Sequence, residues 1–93
     1  MKKFLIILLF CLTVYAASAS TVTLAWDTSN GAQGYKIYYR DTKTRETFNV
    51  NVGNILQYSV SNLVSRRKYE FWVTAYNSNG ESSLSNRKSI TTK

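Results

Sequence analysis

Apolar and polar residues alternate at every second position in several short segments that follow residue 20. The clearest segment is residues 68–76, where Tyr69, Phe71, Val73 and Ala75 fall on one face. A period of two is typical of a β-strand with one buried face, because successive side chains point to opposite sides. Turn-forming residues separate these segments at short intervals, which predicts an antiparallel β-sandwich. The predicted strands are residues 21–26, 35–40, 46–52, 57–61, 68–76 and 84–92.

Three sequence motifs in these segments are more specific than the alternation. They are Val22-x-Leu24-x-Trp26, the run GYKIYYR that begins at Gly34, and the run YSVSNL that ends at Leu63 and is followed by Tyr69. Together they resemble the fibronectin type III family over nearly the whole chain after residue 19. The resemblance implies an all-β, immunoglobulin-like sandwich with a tyrosine corner, in which the phenol of Tyr69 hydrogen-bonds the backbone upstream. The residues expected in the core are Trp26, Tyr35, Ile37, Leu63, Tyr69, Phe71 and Val73.

The N-terminal segment has the order of a secretory signal peptide. Lys2 and Lys3 precede an apolar run, and small residues follow as far as Ala19. This order predicts a signal peptide at residues 1–19 that is cleaved after Ala19, and a domain at residues 20–93 that is secreted, periplasmic or on the cell surface. Contact with a membrane would then be limited to export. The alternative is an uncleaved anchor, although the apolar run is shorter than the ~20 residues that span a bilayer.

The predicted cleavage leaves little chain before the strand at residues 21–26. Family members have a further strand at this place, and only Ser20 and Thr21 remain to form it. We therefore expect the first strand to be truncated or missing. One edge of the sheet, residues 21–27, with Thr21 and Asp27 at its ends, would be open and could self-associate through its unpaired backbone groups. The other interpretation is that Ser20, Thr21 and local twist protect this edge.

The composition limits the chemistry available to the domain. The chain has 93 residues, no His and no Pro, and its one Cys, Cys11, lies in the predicted signal peptide. The usual general base, thiol nucleophile and zinc ligands are thus absent, and we expect no enzyme, no metal site and no cofactor. The net charge is +7, but no motif predicts specific binding of nucleic acid. The short basic start and the lack of Asn-x-Ser/Thr sequons suggest a bacterial or bacteriophage source.

The strand parity predicts one candidate ligand-binding surface. If Tyr69, Phe71 and Val73 face the core, then alternate residues of the same strand and its neighbour face outward. The residues predicted on this aromatic face are Trp72, Tyr38, Tyr76, Arg40 and Lys36. Flat aromatic rings beside hydrogen-bond donors suit sugar stacking or a protein interface. The plainer interpretation is that aromatic residues are good strand formers and that an Arg or Lys stem covers Trp72.

These features favour an exported, non-catalytic module for binding or adhesion. Its expected partner is a protein or a glycan at a cell or virion surface. Two alternatives remain at this point: a structural or assembly component of a surface or virion complex, and a carbohydrate-binding module. They differ in the surface used, because assembly would use the open edge, and sugar binding would use Trp72, Tyr38 and Tyr76.

Overall fold

The computed structural model of the chain describes residues 12–17, 20–82, 85 and 87–93. Every regular element within these residues is a β-strand. The alternating segments predicted from the sequence all correspond to strands, with ends that differ by a few residues. The strands are β1 (Leu12–Ala17), β2 (Val22–Trp26), β3 (Gly34–Asp41), β4 (Thr47–Gly53), β5 (Gln57–Val60), β6 (Lys68–Asn77), β7 (Gly80–Glu81) and β8 (Lys88–Thr91).

The strands form two antiparallel sheets. A three-stranded sheet has the order β1-β2-β5, and a five-stranded sheet has the order β4-β3-β6-β7, with β8 paired to the other half of β6. The two sheets pack their apolar faces together, as expected for a sandwich. The predicted all-β, immunoglobulin-like fold is thereby confirmed. The described part of the chain contains no helix long and apolar enough to cross a membrane.

The first strand, expected to be truncated or missing, is present in the full-length chain. Leu12–Ala17 forms β1 and pairs antiparallel with β2, with an irregularity in register between Val14 and Ala16. The expectation was made for a chain cleaved after Ala19, and it does not hold for the uncleaved chain, in which residues 12–17 are present and form a strand. An apolar segment of this length also suits a strand, and β2 offers it an edge on which to pair. The edge of residues 21–27, expected to be open, is thus paired with β1 in the full-length chain.

The core lies between the sheets and contains all of the residues expected there. Leu24, Ile37, Phe71 and Val73 are fully buried, and Trp26 packs against Tyr35 with ring centroids 5.9 Å apart. The buried apolar residues that form this core are Val22, Leu24, Trp26, Tyr35, Ile37, Val60, Leu63, Tyr69, Phe71, Val73 and Ala75.

The chain crosses from β5 to β6 through a corner that the core tyrosine holds. The N–H of Val64 donates a hydrogen bond to the hydroxyl oxygen of Tyr69 (2.9 Å). This bond links the crossing segment to a ring that is 3% exposed. The arrangement is the tyrosine corner that the family resemblance implied.

An ion pair stabilises the same end of the sandwich. Asp41, at the end of β3, is buried and forms an ion pair with Arg67, which precedes β6. The N–H groups of Lys43 and Thr44 also donate to Asp41 Oδ1, at 2.8 and 3.3 Å. Burial raises the pKa of Asp41, but these donors and Arg67 lower it by more, so the pKa lies below its usual value. One cation of the basic run at residues 66–68 is therefore committed to holding the fold.

The closing strand predicted at residues 84–92 corresponds to β8 at Lys88–Thr91, with residues 84 and 86 outside the described part of the chain, and the short strand β7 at Gly80–Glu81 precedes it. Between these strands, the hydroxyl oxygens of Ser82 and Ser85 accept hydrogen bonds from the N–H groups of Ala75 (2.9 Å) and Val73 (2.8 Å). These side chains take the place of ladder carbonyls, so this edge of β6 stays hydrogen-bonded between the β7 and β8 pairings. Alternation did not predict β7, because its two residues, Gly80 and Glu81, carry no hydrophobic pattern.

Candidate functional site

The outward side of the five-stranded sheet presents the residues predicted as an aromatic face. In β3 and β6, the pairs Tyr38↔Trp72, Lys36↔Thr74 and Arg40↔Glu70 lie directly opposite each other. Their neighbours along the strands, such as Ile37 and Val73, are buried in the core, so strict alternation directs these pairs outward. We call this surface the outer face. It consists of Lys36, Tyr38, Arg40, Glu70, Trp72, Thr74, Tyr76, Glu81 and Arg87.

Trp72 lies on the outer face but is not exposed. Its ring stacks beside that of Tyr38, with centroids 5.9 Å apart and planes 2° from parallel. The guanidinium carbon of Arg87 lies over the Trp72 ring, 4.6 Å from its centroid. Trp72 is consequently only 7% exposed. The structure thus agrees with the plainer of the two interpretations for this residue, that a basic side chain covers it.

Tyr38 is held in place by Glu81 of β7. The Tyr38 hydroxyl donates to Glu81 Oε2 (2.5 Å), and Thr74 Oγ1 donates to the same oxygen (2.6 Å). Lys36 Nζ lies 3.6 Å from the other carboxylate oxygen. Glu81 therefore joins three neighbouring side chains of β3 and β6 at the centre of the face.

The two ends of the Tyr38–Glu81 bond have opposite pKa shifts. Burial raises the pKa of Glu81, but hydrogen bonds from Thr74 and Tyr38 and the charge of Lys36 lower it by more, so the pKa lies below its usual value. The hydrogen bond to Glu81, aided by burial and by the carboxylate charge, raises the pKa of Tyr38 to about 12. The hydroxyl of Tyr38 is thus a neutral donor at physiological pH, and the carboxylate is its charged acceptor.

Tyr76 lies at the far end of the outer face, over a glycine. Gly34 is its direct partner in β3, and a Cβ atom built on Gly34 would lie 2.3 Å from the Tyr76 hydroxyl oxygen. The absence of a side chain at Gly34 lets the Tyr76 ring lie flat across the sheet. The hydroxyl of Tyr76 then donates to Asn51 Oδ1 of β4 (3.0 Å).

The charges on the outer face are paired with one exception. Lys36 lies near Glu81, and Arg87 Nη1 lies 3.6 Å from Glu70 Oε1. Arg40, by contrast, is half-buried and makes no ion pair within the described residues. It lies two residues along β3 from Tyr38, so the two residues are on the same face of the sheet.

Sequence reasoning identified the β3 and β6 members of this surface but not Glu81 and Arg87. Glu81 lies in the two-residue strand β7 and Arg87 lies just before β8, and neither place has enough alternation to assign a face. The signal that was available is the Gly80 turn, because Glu81 follows it directly and lies opposite Tyr76 in the β6–β7 pair.

The outer face carries no arrangement typical of catalysis or metal binding. Within the described part of the chain there is no cluster of three or more His, Cys, Asp or Glu side chains that could hold a metal ion. Glu70 and Glu81 are each committed to a basic neighbour. The arrangement is chemically suited to recognition by stacking, hydrogen bonds and charge pairing.

Comparisons with known proteins give the wider context. The family model for the fibronectin type III domain matches residues 11–91. The chain is 38% identical over 80 residues to the Kelch domain-containing protein SSO1033 of Saccharolobus solfataricus, a match that covers 86% of this chain and 11% of that protein. It is 37% identical over 73 residues to human neogenin, covering 74% of this chain and 5% of neogenin. The chain thus spans about a tenth or less of the length of these relatives.

Solved structures agree with the fold. The FN1–FN3 domains of chicken CNTN1 superpose with a TM-score of 0.79 at 28% identity, covering 88% of this chain and 29% of that one. The FN5 domain of Drosophila Lar gives a TM-score of 0.76 at 20% identity, covering 87% and 89% of the two chains, and shows the fold alone. None of these matches indicates a catalytic family. The archaeal and human relatives do not support the bacterial or bacteriophage source suggested by the sequence.

Proposed function

Because the chain belongs to the fibronectin type III family, we propose that it is an exported, non-catalytic module that recognises a protein through the outer face of its five-stranded sheet. The observation that carries this proposal is that Arg40, which makes no ion pair within the described residues, lies two residues along β3 from Tyr38, whose ring and hydroxyl are held by Trp72 and Glu81. Tyr and Arg dominate the binding energy of protein interfaces, and they act best where neighbours hold them in place.

The outer face is organised before any partner arrives. Tyr38 is held by its stacking on Trp72 and by Glu81, and Tyr76 is held by Gly34 and Asn51. Fixing side chains in advance lowers the entropy lost on binding, which favours affinity. The Trp72 ring contacts the Tyr38 ring and lies under the Arg87 guanidinium, so it helps to hold both side chains in place.

A carbohydrate ligand is less well supported than a protein. Sugar stacking needs an open aromatic face, and Arg87 covers the Trp72 ring. A sugar would have to displace a guanidinium that also lies near Glu70. Tyr38 and Tyr76 remain half-exposed, but they do not form a continuous flat platform with an accessible tryptophan.

Export is the second part of the proposal. It is supported by the order of charged, apolar and small residues in residues 1–19, with cleavage after Ala19 and a secreted, periplasmic or cell-surface destination. Cleavage at that point would remove β1, because Leu12–Ala17 lies before Ala19.

The recognition proposal can be tested by affinity capture from a surface extract of the producing organism. The baits are the parent chain, the double variant Tyr38→Ala/Arg40→Ala, and the control Gln57→Ala/Ser59→Ala, whose exposed positions lie on the other sheet. We expect at least one protein to be retained by the parent and the control and lost by the outer-face variant. Retention of the same proteins by all three baits would contradict the proposal.

A glycan array separates the carbohydrate alternative from protein recognition. Arg87→Ala uncovers the Trp72 ring without removing a buried side chain, so it disturbs the packing of the sheet less than Trp72→Ala would. We expect no glycan to bind the parent chain. Glycan binding by the parent that Tyr38→Ala abolishes would favour the carbohydrate-binding function instead.

A further inference from the structure

Residues 12–17 are assigned two roles, and a chain cleaved after Ala19 cannot retain both. They form part of the predicted signal peptide, and they form β1, which covers one edge of β2. A processed chain would keep β2 and lose the strand that covers it. The consequence depends on whether β2 remains a strand without β1.

Contacts that do not involve β1 hold both ends of β2. The carbonyl oxygen of Ser20 accepts a hydrogen bond from the N–H of Leu63 (3.0 Å), and the N–H of Trp26 donates to the carbonyl of Leu56 (3.1 Å). Between these points, β2 pairs with β5 from Val22↔Val60 to Ala25↔Gln57. Removal of residues 1–19 leaves all of these contacts in place, so β2 stays extended and becomes the edge of its sheet.

The newly exposed edge would present backbone groups at alternate residues. The N–H of Trp26 is directed toward the β5 side, where Leu56 accepts it. Backbone direction alternates along a strand, so the N–H and C=O groups of Thr23 and Ala25 point to the β1 side. These are the groups that β1 opposes with Ala16 and Thr13.

The sequence of β2 is complementary to itself in an antiparallel pair centred on Leu24. In that register Val22 lies opposite Trp26 of a second copy, and Thr23 lies opposite Ala25. The burial pattern of the strand is symmetric about Leu24, so every core-facing residue meets a core-facing residue. The strand contains no charged residue and no Pro. Charged residues and Pro ordinarily prevent edge-to-edge pairing, so β2 lacks this protection.

We propose that removal of residues 1–19 converts the β2 edge into a homodimer interface, in which β2 of a second copy pairs antiparallel in the place of β1. The two-stranded β2–β5 sheets of the two copies then form one continuous four-stranded sheet in the order β5-β2-β2-β5. This inference rests on the export and cleavage that form part of the proposed function. It does not depend on the outer face, which lies on the other sheet.

The test uses the full chain, exported by a host that has a secretory pathway. Intact mass gives the N-terminus of the recovered protein, and sedimentation over a concentration series gives its oligomeric state. We expect a chain that begins at Ser20 and forms a dimer. Thr23→Lys/Ala25→Lys places like charges opposite each other and should raise the dimer dissociation constant by at least about tenfold. The matched control Gln57→Lys/Ser59→Lys adds the same charge to the opposite edge of the same sheet and should leave the constant within about twofold of the parent.

A disulfide experiment removes the dependence on how well the lysine variant folds. The processed chain contains no Cys, so copies with Thr23→Cys can be mixed with differently tagged copies carrying Ala25→Cys. Directly opposed residues of an antiparallel pair lie within the separation that a disulfide bridges. We expect a mixed disulfide from this pair and none from Gln57→Cys mixed with Ser59→Cys.

Four results would overturn the inference, and each differs from a failure of outer-face recognition in the capture experiment. They are a recovered chain that retains residues 1–19, a processed chain that is monomeric at all concentrations, a processed chain that is unfolded, and a dimer whose mixed disulfide is absent. In the first case the edge stays covered, and in the last case another surface forms the dimer.

Discussion

The hydroxyl of Tyr69 lies where the chain crosses between the two sheets and accepts a hydrogen bond from the N–H of Val64. The ring beneath it is buried between Tyr39 and Phe71, with centroids 6.3 and 6.2 Å away. One side chain thus fills the core and satisfies a backbone donor at the corner. The family resemblance indicated this role, because the spacing from Leu63 to Tyr69 is visible in the sequence.

Tyr69→Phe keeps the ring and removes the hydrogen bond. We expect the free energy of unfolding to fall by about 1 kcal/mol, the net value of a typical intramolecular hydrogen bond. Chemical denaturation, monitored by tryptophan fluorescence, measures this change in the free energy of unfolding. The matched control is Tyr58→Phe, because Tyr58 is half-buried and its hydroxyl makes no hydrogen bond within the described residues. An equal effect from both substitutions would contradict the role given to Tyr69.

Gly34→Ala tests the position of Tyr76 on the outer face. The added Cβ would lie 2.3 Å from the Tyr76 hydroxyl oxygen, so the ring must swing away and its bond to Asn51 must break. The end of a tyrosine side chain can move at low cost, so we expect destabilisation of no more than about 1 kcal/mol. NMR signals of the Tyr76 ring should shift strongly. Unchanged ring signals would show that Tyr76 does not lie across Gly34.

Residues in the core could be predicted from the sequence more reliably than residues on the outer face. Alternation states which side of a strand a residue is on, and this was sufficient for Ile37, Phe71 and Val73. It does not state what covers an outward residue. The sequence left open whether Trp72 is exposed or covered by a basic side chain, and the covering residue, Arg87, is distant from it in the chain.

The end of β3 and the start of β6 are joined by the pair of Asp41 and Arg67. Thr92 completes this junction, since its hydroxyl donates to the carbonyl of Val64 (2.6 Å) and accepts from the N–H of Arg67 (3.0 Å). Three elements therefore meet at one buried carboxylate and one buried hydroxyl. Residues 66–68 are all basic, but the sequence does not show which of them pairs with Asp41, because charge pairing across β3 and β6 requires the register.

Asp41→Asn tests the electrostatic part of this junction. Because the pKa of Asp41 is lowered in the folded chain, its charge stabilises the fold above the unfolded-state pKa of about 3.9. That contribution is lost as the pH falls through the lower, folded-state pKa. We expect the parent to be more stable than Asp41→Asn at neutral pH and the difference to disappear in acid. Thermal unfolding across the pH range measures this, and a difference independent of pH would contradict it.

Strands β3 and β7 are connected across the sheet by Tyr38 and Glu81. The pKa of Tyr38 is raised to about 12 in the folded chain, so its hydroxyl contributes stability that is fully present below about pH 10, the usual tyrosine value. This contribution is lost as the pH rises through the folded value. In Glu81→Gln we expect the pKa of Tyr38 to fall toward 10, because the hydrogen-bonded anion is gone.

Phenolate absorbance during an alkaline titration measures the Tyr38 pKa. Tyr38→Phe identifies its contribution among the tyrosines, and Glu70→Gln is the control, because Glu70 lies near Arg87 and not near the Tyr38 hydroxyl. A Tyr38 pKa that Glu81→Gln leaves unchanged would show that the bond between β3 and β7 does not form in solution.

Element boundaries were predictable where one hydrophobic period applied. They were not predictable at β1 and at the closing strand. The apolar residues of β1 suit a signal peptide as well as a strand, and their hydrophobic pattern does not reveal the pairing with β2. Near the closing strand, β7 has only two residues, and the serine hydroxyls that accept hydrogen bonds from β6 leave no periodic pattern in the sequence.

The whole molecule presents two surfaces on opposite sheets. The outer face of the five-stranded sheet carries Tyr38 and Arg40, and it is available whether or not the N-terminal segment is removed. The β2 edge of the three-stranded sheet is covered by β1 in the full-length chain and is opened by the proposed cleavage. The fold class followed from the sequence, whereas the separation of these two surfaces required the sheet order.

The central claim is that recognition takes place on the outer face. NMR titration of the isotope-labelled chain with the protein recovered by affinity capture tests it most directly. We predict that signals of Lys36, Tyr38, Arg40 and Tyr76 shift or broaden first, and that those of Gln57 and Ser59 remain unchanged. Perturbations confined to β2 and β5, or to the loops at residues 27–33 and 78–79, would contradict the claim.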